Sequence, residues 1–233
     1  MTARRLVLFD VDGTLLVSAG AGRRAIRAAL GDLIGDDTVF DRVRFDGKTD
    51  PQIVAELLHE AGREDPCEEE RIAEVCRRYV LLLEQELAAR RTTVTLMPGV
   101  HALLDRLENE AGVVLGLLTG NVERGASLKL QAGGLDPRRF RLGAYGSDSA
   151  YRPDLPSIAA RRAEPHFGRV PDGDEVVIIG DTPADIACGR GICARAVGVA
   201  TGSYSVDELA THEPHAVFPD LAATDDVLAA LLG

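Results

Sequence analysis

Residues 6–16 read Leu-Val-Leu-Phe-Asp-Val-Asp-Gly-Thr-Leu-Leu, an apolar run that stops abruptly at two carboxylates. The run is short and continuous, as expected of a strand covered on both faces in a parallel sheet. An acidic pair at the tip of a buried strand is costly unless a cation or a set of amides satisfies it. In open α/β sheets, ligands sit just beyond the carboxyl ends of the strands, where Asp10 and Asp12 fall. An Asp-Gly turn alone would explain a single carboxylate here. A pair two residues apart suits two separate roles.

At 233 residues and 45% apolar, the chain can bury one large domain or two modest ones. The net charge of −11 is spread along the whole length rather than gathered in blocks. That excess argues against nucleic acid or an anionic membrane as partner, since both need a basic face. It also means that an anionic substrate has to find its positive charge in a metal and a few specific side chains. The four cysteines, Cys67, Cys76, Cys188 and Cys193, form no C-x-x-C pair and lie in helix-like apolar patterns. They read as reduced core thiols rather than a zinc site. No apolar run approaches the ~20 residues that cross a bilayer, and the N-terminus enters a strand too early for a signal peptide. The expectation is a soluble cytoplasmic protein, a monomer or a homodimer.

Beyond Thr14 a small-residue stretch, Ser18-Ala-Gly-Ala-Gly22, reads as a hinge before a helix over 23–34. Phe45-Asp-Gly-Lys-Thr-Asp-Pro51 is a polar loop, with Asp50 as the expected N-cap and Pro51 as the first helical residue of a helix to about residue 60. Over 68–90, Ile72, Val75, Cys76, Tyr79, Leu82, Leu83 and Leu87 recur at helical spacing. The segment 17–96 therefore reads as an all-helical insertion, with a second hinge near 93–98. A helix opened by Pro98 marks the return, and strands then alternate with helices. Strands are expected over 113–118, 141–145, 176–179, 196–199 and 216–218, and helices over 98–110, 123–132, 155–164 and 183–188 and at the C-terminus. Such alternation predicts an α/β fold, a doubly wound and mostly parallel sheet (Rossmann-like) built from 1–16 and 97–233.

Three of these strands end in polar groups: Asp10 and Asp12, Thr119-Gly120-Asn121, and Asp181 followed by Asp185. Singly, the second is an ordinary turn and the third a capped helix start. Together a parallel sheet gathers them at one edge. In this order they resemble the first, second and fourth signatures of the haloacid dehalogenase superfamily, across essentially the whole chain. The helical insertion matches that family's cap, and with Gly47-Lys-Thr-Asp50 the chain looks most like the phosphoglycolate phosphatase group.

The resemblance implies a phosphatase of small phosphorylated metabolites that works through an aspartyl-phosphate on Asp10. Hard oxygen ligands select Mg²⁺, held by the side chains of Asp10 and Asp181 and the carbonyl of Asp12, with Asp185 orienting the site from behind. Asp12 would protonate the leaving oxygen and then activate water. Thr119, Gly120 and Asn121 would hold phosphoryl oxygens, and Lys48 and Thr49 on the cap loop would meet the substrate's tail. The departure comes where the family places a lysine against nucleophile and phosphate. The only lysines are Lys48 and Lys129, and Lys129 falls inside a predicted helix. Arg152, in Tyr151-Arg-Pro-Asp154, stands where that lysine would be, and a guanidinium differs from an ammonium in shape and reach.

Phosphonate hydrolases, sugar phosphomutases and dehalogenases share this core and are the alternatives, the last disfavoured because its relatives lack the second aspartate. A non-enzymatic phosphoacceptor would place its aspartate on a later strand and carry no cap. A binding protein without catalysis would be expected to have lost one of Asp10, Asp12 or Asp181.

Overall fold

After Arg5, every residue of the first strand is buried, and its side chains feed two different cores. The computed structural model describes residues 5–31, 33–63, 68–89 and 92–233. In chain order its elements begin with β1 (Arg5–Phe9), β2 (Leu16–Val17), α1 (Ala21–Leu30), α2 (Val39–Arg42), α3 (Asp50–Glu60), α4 (Glu68–Ala88) and β3 (Thr95–Leu96). There follow α5 (Val100–Asn109), β4 (Val113–Thr119), α6 (Glu123–Ala132), β5 (Leu142–Tyr145), α7 (Leu155–Phe167) and β6 (Val176–Gly180). The chain closes with α8 (Pro183–Cys188), β7 (Arg195–Val199), α9 (Val206–Ala210), β8 (Ala216–Phe218) and α10 (Thr224–Leu232).

Six strands pair in the order β5-β4-β1-β6-β7-β8, every pair parallel. Period-two alternation in β1 sends Val7 and Phe9 toward Leu103, Leu107, Leu130 and Leu231, and Leu6 and Leu8 toward Leu155, Ala159 and Cys188. Helices therefore cover both faces, the doubly wound arrangement expected from the alternation. β1 lies between β4 and β6, with Phe9 level with Leu117 on one side and Ile179 on the other. This register brings the residues after Phe9, Leu118 and Gly180 to one edge.

Helices α1 to α4 form a core of their own around Ile26, Leu30, Phe40, Leu57, Tyr79 and Leu83, joined by Val122 from the loop after β4. On α4 the expected stripe is inside: Val75, Cys76, Tyr79 and Leu83 are buried, whereas Leu81, off the stripe, is 63% exposed. No described helix is long and apolar enough to cross a membrane.

Several expectations need correction. The segment 17–96 is not wholly helical, because β2 and β3 pair antiparallel where the chain leaves and re-enters the sheet layer. Helix α1 starts at Ala21 rather than 23, and α5 starts at Val100, after Gly99 in the left-handed region (φ 84°), rather than at Pro98. The N-cap of α3 is Thr49, not Asp50, since the Thr49 hydroxyl accepts from the Gln52 amide at 3.2 Å. Asp50 directs its carboxylate elsewhere. Cys76 and Cys188 are buried free thiols, but Cys193 is exposed in a left-handed turn after α8, and Cys67 lies outside the described residues.

Candidate active site

The sheet edge assembles the three strand-end motifs, and each is fixed by local bonds. Asp10 continues β1, its amide donating to the Ile179 carbonyl at 2.9 Å. Asp181 follows β6 and accepts from the Thr14 hydroxyl at 3.0 Å. Asp185 completes a capping box on α8: its carboxylate accepts from the Thr182 amide at 3.0 Å, and its own amide donates back to the Thr182 hydroxyl. Thr119 and Asn121 close β4, with Asn121 Nδ2 donating to Thr119 Oγ1 at 2.9 Å.

Asp10, Asp181 and Asp185 each offer an oxygen, and these three atoms lie within 4.8 Å of one another, all buried. Burial, then the charge of Asp185, pushes the Asp10 carboxyl well above the usual range, against the pull of Arg152. Burial, then Asp185 and Asp10, does the same to Asp181. Three crowded carboxylates of this kind call for a cation between them. The backbone leaves room for the acids: a Cβ on Gly13, whose φ is +83°, or on Gly202 would sit 2.3 Å or 1.8 Å from Asp181 Oδ2. A set of hard oxygen donors cradled in this way fits a divalent metal.

Two cations reach this cluster from different elements. Arg152, buried in the turn before α7, donates Nη2 to Asp10 Oδ1 at 3.3 Å and to Asp185 Oδ1, while its Nε has no partner. Burial opposes its charge, yet Asp185 and Asp10 outweigh that and raise its pKa. Lys129, on α6, is also brought to the site, donating Nζ to Asp12 Oδ2 and to Asn121 Oδ1, both at 2.6 Å. Burial likewise opposes the Lys129 charge, and Asp12 with Asp50 more than offsets it, raising its pKa. Lys129, set aside as the family's lysine because it falls inside a helix, does reach the site, on Asp12 and Asn121 rather than on Asp10. The available signal was a lysine set between Leu128 and Leu130 on the buried face of α6, in a chain whose other basic residues are almost all arginine.

The helical layer closes the site from above. Helix α3 docks its N-terminus on the loop after β4: the Asp50 amide donates to the Gly120 carbonyl at 2.7 Å, and the Val122 amide donates to Asp50 Oδ2 at 2.8 Å. Thr49 Oγ1 donates to the Ala150 carbonyl at 2.8 Å, so that hydroxyl is occupied in docking and Thr49 does not line the cavity. Lys48 does line it, but its ammonium is paired with Glu56. Gly120 lies so close beneath that a Cβ would stand 2.1 Å from the Lys48 carbonyl. Between the layers is a cavity of about 340 Å³, with Asp10, Asp12, Asn121, Lys129, Arg152 and Asp181 on the sheet side and Ile26, Phe45 and Ile53 on the helical side.

Residues 7–190 match the family of haloacid dehalogenase-like hydrolases. The chain belongs to this family. It is accordingly a hydrolase. Among curated relatives, "Probable phosphatase IndB" of Dickeya dadantii is 27% identical over 91% of this chain and 88% of its own. Among solved structures, CbbY of Rhodobacter sphaeroides in complex with phosphate is 21% identical, with a TM-score of 0.72 over 98% of this chain and 99% of its own. A "predicted phosphoglycolate phosphatase" of Haemophilus somnus 129PT, also 21% identical, has a TM-score of 0.70 over 98% and 99%. At these identities the two structures are alike to this hydrolase in fold.

Proposed function

We propose that this chain is a Mg²⁺-dependent phosphatase that hydrolyses the phosphomonoester of a small metabolite, of the phosphoglycolate or sugar phosphate kind. The observation that carries this reading is the convergence of Asp10, Asp181 and Asp185 within 4.8 Å, with Arg152 on Asp10 and Asp12 beside them. The phosphatase name of the curated relative and the phosphate complex of CbbY point the same way. Mg²⁺ would be held by Asp10, Asp181 and the Asp12 carbonyl, and when bound it neutralises charge on the phosphoryl oxygens.

Asp10 attacks phosphorus in line, forming an aspartyl-phosphate as the bond to the leaving oxygen breaks. Asp12 gives that oxygen its proton, then takes one from the water that attacks the aspartyl-phosphate, releasing phosphate and restoring Asp10. Arg152, two bonds already on carboxylates and its Nε unpartnered, supplies the positive charge that keeps Asp10 ionised beside a dianion. The Thr119 hydroxyl and backbone amides near Val11 hold phosphoryl oxygens, while Asn121, whose Nδ2 is bonded to Thr119 and Asp12, orients these groups rather than the phosphate. Residues 17–96 act as a cap over the core of 1–16 and 97–233, hinged at the β2–β3 ribbon, and shield the intermediate from bulk water. Asp12 has no task in carbon–halogen hydrolysis, and Lys48, paired with Glu56, is poorly set to form the Schiff base of a phosphonate hydrolase.

The test is phosphate release from a panel of phosphorylated metabolites and from p-nitrophenyl phosphate, with Mg²⁺ and with chelator. Turnover that requires the metal is expected. Its absence across the panel with Mg²⁺ present would sink the reading.

A further inference from the structure

Lys129 has no assigned task in the reaction just described, yet its buried ammonium makes two short hydrogen bonds at the cavity wall. Asp12 Oδ2 accepts from Lys129 Nζ at 2.6 Å and from Asn121 Nδ2 at 2.7 Å. Lys129 Nζ also donates to Asn121 Oδ1 at 2.6 Å, which closes a triangle of lysine, amide and carboxylate. Asn121 is thereby held with its oxygen toward Lys129 and its nitrogen toward Asp12 and Thr119. The ammonium is sealed in: the Lys129 side chain is 5% exposed, that of Asp12 42%. Helices α1 and α4 complete the seal, since a Cβ on Gly22 would stand 3.4 Å from Lys129 Nζ and 3.6 Å from Tyr79 Oη.

The two buried cations divide the acids between them. Arg152 bonds to Asp10 and Asp185, whereas Lys129 bonds to Asp12 and Asn121. One serves the nucleophile and the other the proton carrier. With Asp12 Oδ2 locked by two donors, Oδ1 has no hydrogen-bond partner among the described residues, and Asp12 lines the cavity. A general acid has to present its proton to the leaving oxygen within a narrow range of position, and displacement by about 1 Å costs on the order of 100-fold in rate. A carboxylate free to turn about its side-chain bonds would lose that register.

We propose that Lys129 is a positioning residue for proton transfer: through the Lys129–Asn121–Asp12 triangle it fixes which oxygen of Asp12 serves the leaving group. The inference rests on Asp12 being the proton carrier of the phosphatase reading. Lys129 keeps its own protons throughout. The proton moves from Asp12 Oδ1 to the leaving oxygen as the phosphorus–oxygen bond breaks, and a proton from the attacking water returns to Oδ1.

The experiment compares p-nitrophenyl phosphate, whose leaving group departs unaided, with phenyl phosphate, which needs the proton more. Wild-type turnover of the two with Mg²⁺ tests the phosphatase reading by itself, before Lys129 is altered. In Lys129→Met, which keeps most of the volume, kcat on phenyl phosphate should fall by about 100-fold and on p-nitrophenyl phosphate by less than about tenfold. KM for both should stay within about threefold. In an Asp12→Asn background the same substitution should cause no further fall, because the group it serves is gone. Equal losses on the two substrates, a rise in KM at constant kcat, or additive losses in the double variant would overturn the proposal. Should Lys129→Met fail to fold, Lys129→Arg keeps the charge but displaces the short contacts. It should shift the substrate ratio in the same direction by at least threefold, and an unchanged ratio would likewise overturn the inference.

Discussion

The two walls of the cavity are built on opposite terms. On the sheet side the groups are charged side chains held by other side chains, and Asp10, Asp181 and Asp185 are 6%, 4% and 1% exposed. On the helical side the contacts to the sheet layer run to backbone groups, as in the Asp50 amide on Gly120 and the Thr49 hydroxyl on Ala150, and the wall mixes apolar Ile26, Phe45 and Ile53 with charged Arg23, Asp46 and Lys48. The sheet side is thus fixed by charge, in a region where removing one partner leaves another exposed to the full cost of burial. The helical side is held on the sheet by shape and a few hydrogen bonds to backbone groups, each contributing about 1 kcal/mol. A wall of the first kind suits chemistry, and one of the second kind suits opening and closing.

Asp10 should break this contrast most sharply. Asp10→Asn keeps the shape and the backbone bond but removes the attacking oxygen, so turnover should fall by about 10⁴-fold or more. The fold should survive, and in metal-free protein the melting temperature should rise, because a buried charge crowded by Asp185 is gone. Substantial activity in the purified variant would mean that another group is the nucleophile.

Arg152 comes next. Arg152→Ala should lower kcat by about 100- to 1000-fold and destabilise the protein by about 3–5 kcal/mol, since Asp10 and Asp185 lose a buried partner. Arg152→Lys should recover part of the rate. Near-normal turnover in the alanine variant would shift the cation's role away from Arg152.

A milder probe sharpens the metal half of the contrast. Mg²⁺ should raise the melting temperature of the wild type by the ordinary linkage of a ligand that binds only the folded state. The rise should be much smaller in Asp181→Asn, which removes one of the three clustered acids. Equal rises would place the metal elsewhere.

How much of this was legible beforehand follows the same division. Each sheet-side acid stands at the end of an apolar run, so strand period and parallel order brought Asp10, Thr119 and Asp181 together from the sequence alone. Arg152 was found through its position before α7. The helical side resisted because its contacts are tertiary. Nothing local says that Asp50 turns its carboxylate to Val122 while Thr49 takes over the cap, nor that Lys48 finds Glu56. Lys129 fell between the two. A charged residue on the inner face of α6 is a visible signal, but only the docking of α1 and α4 over it shows what it is sealed against.

Asp50 should have the smallest effect on turnover and the clearest dependence on pH. Asp50→Asn keeps an oxygen able to accept from the Val122 amide, so docking of α3 should persist and kcat change by less than about threefold. The difference lies in the proton. Burial pushes the Asp50 carboxyl up to about 6 in the folded protein, against 3.8 as the ordinary value, with Lys129 pulling the other way. Between those two values the folded chain holds a proton that the unfolded chain has released. The stability that Asp50 contributes relative to asparagine is therefore full below about pH 4 and is lost as pH rises through 6. Two units correspond to about 3 kcal/mol at most. Thermal melts of wild type and Asp50→Asn from pH 4 to 7 should show the wild type losing ground steadily across that window. A difference that stays flat would show that Lys129 and the Val122 amide hold Asp50 ionised throughout, and the helical wall would then be fixed by charge as the sheet wall is.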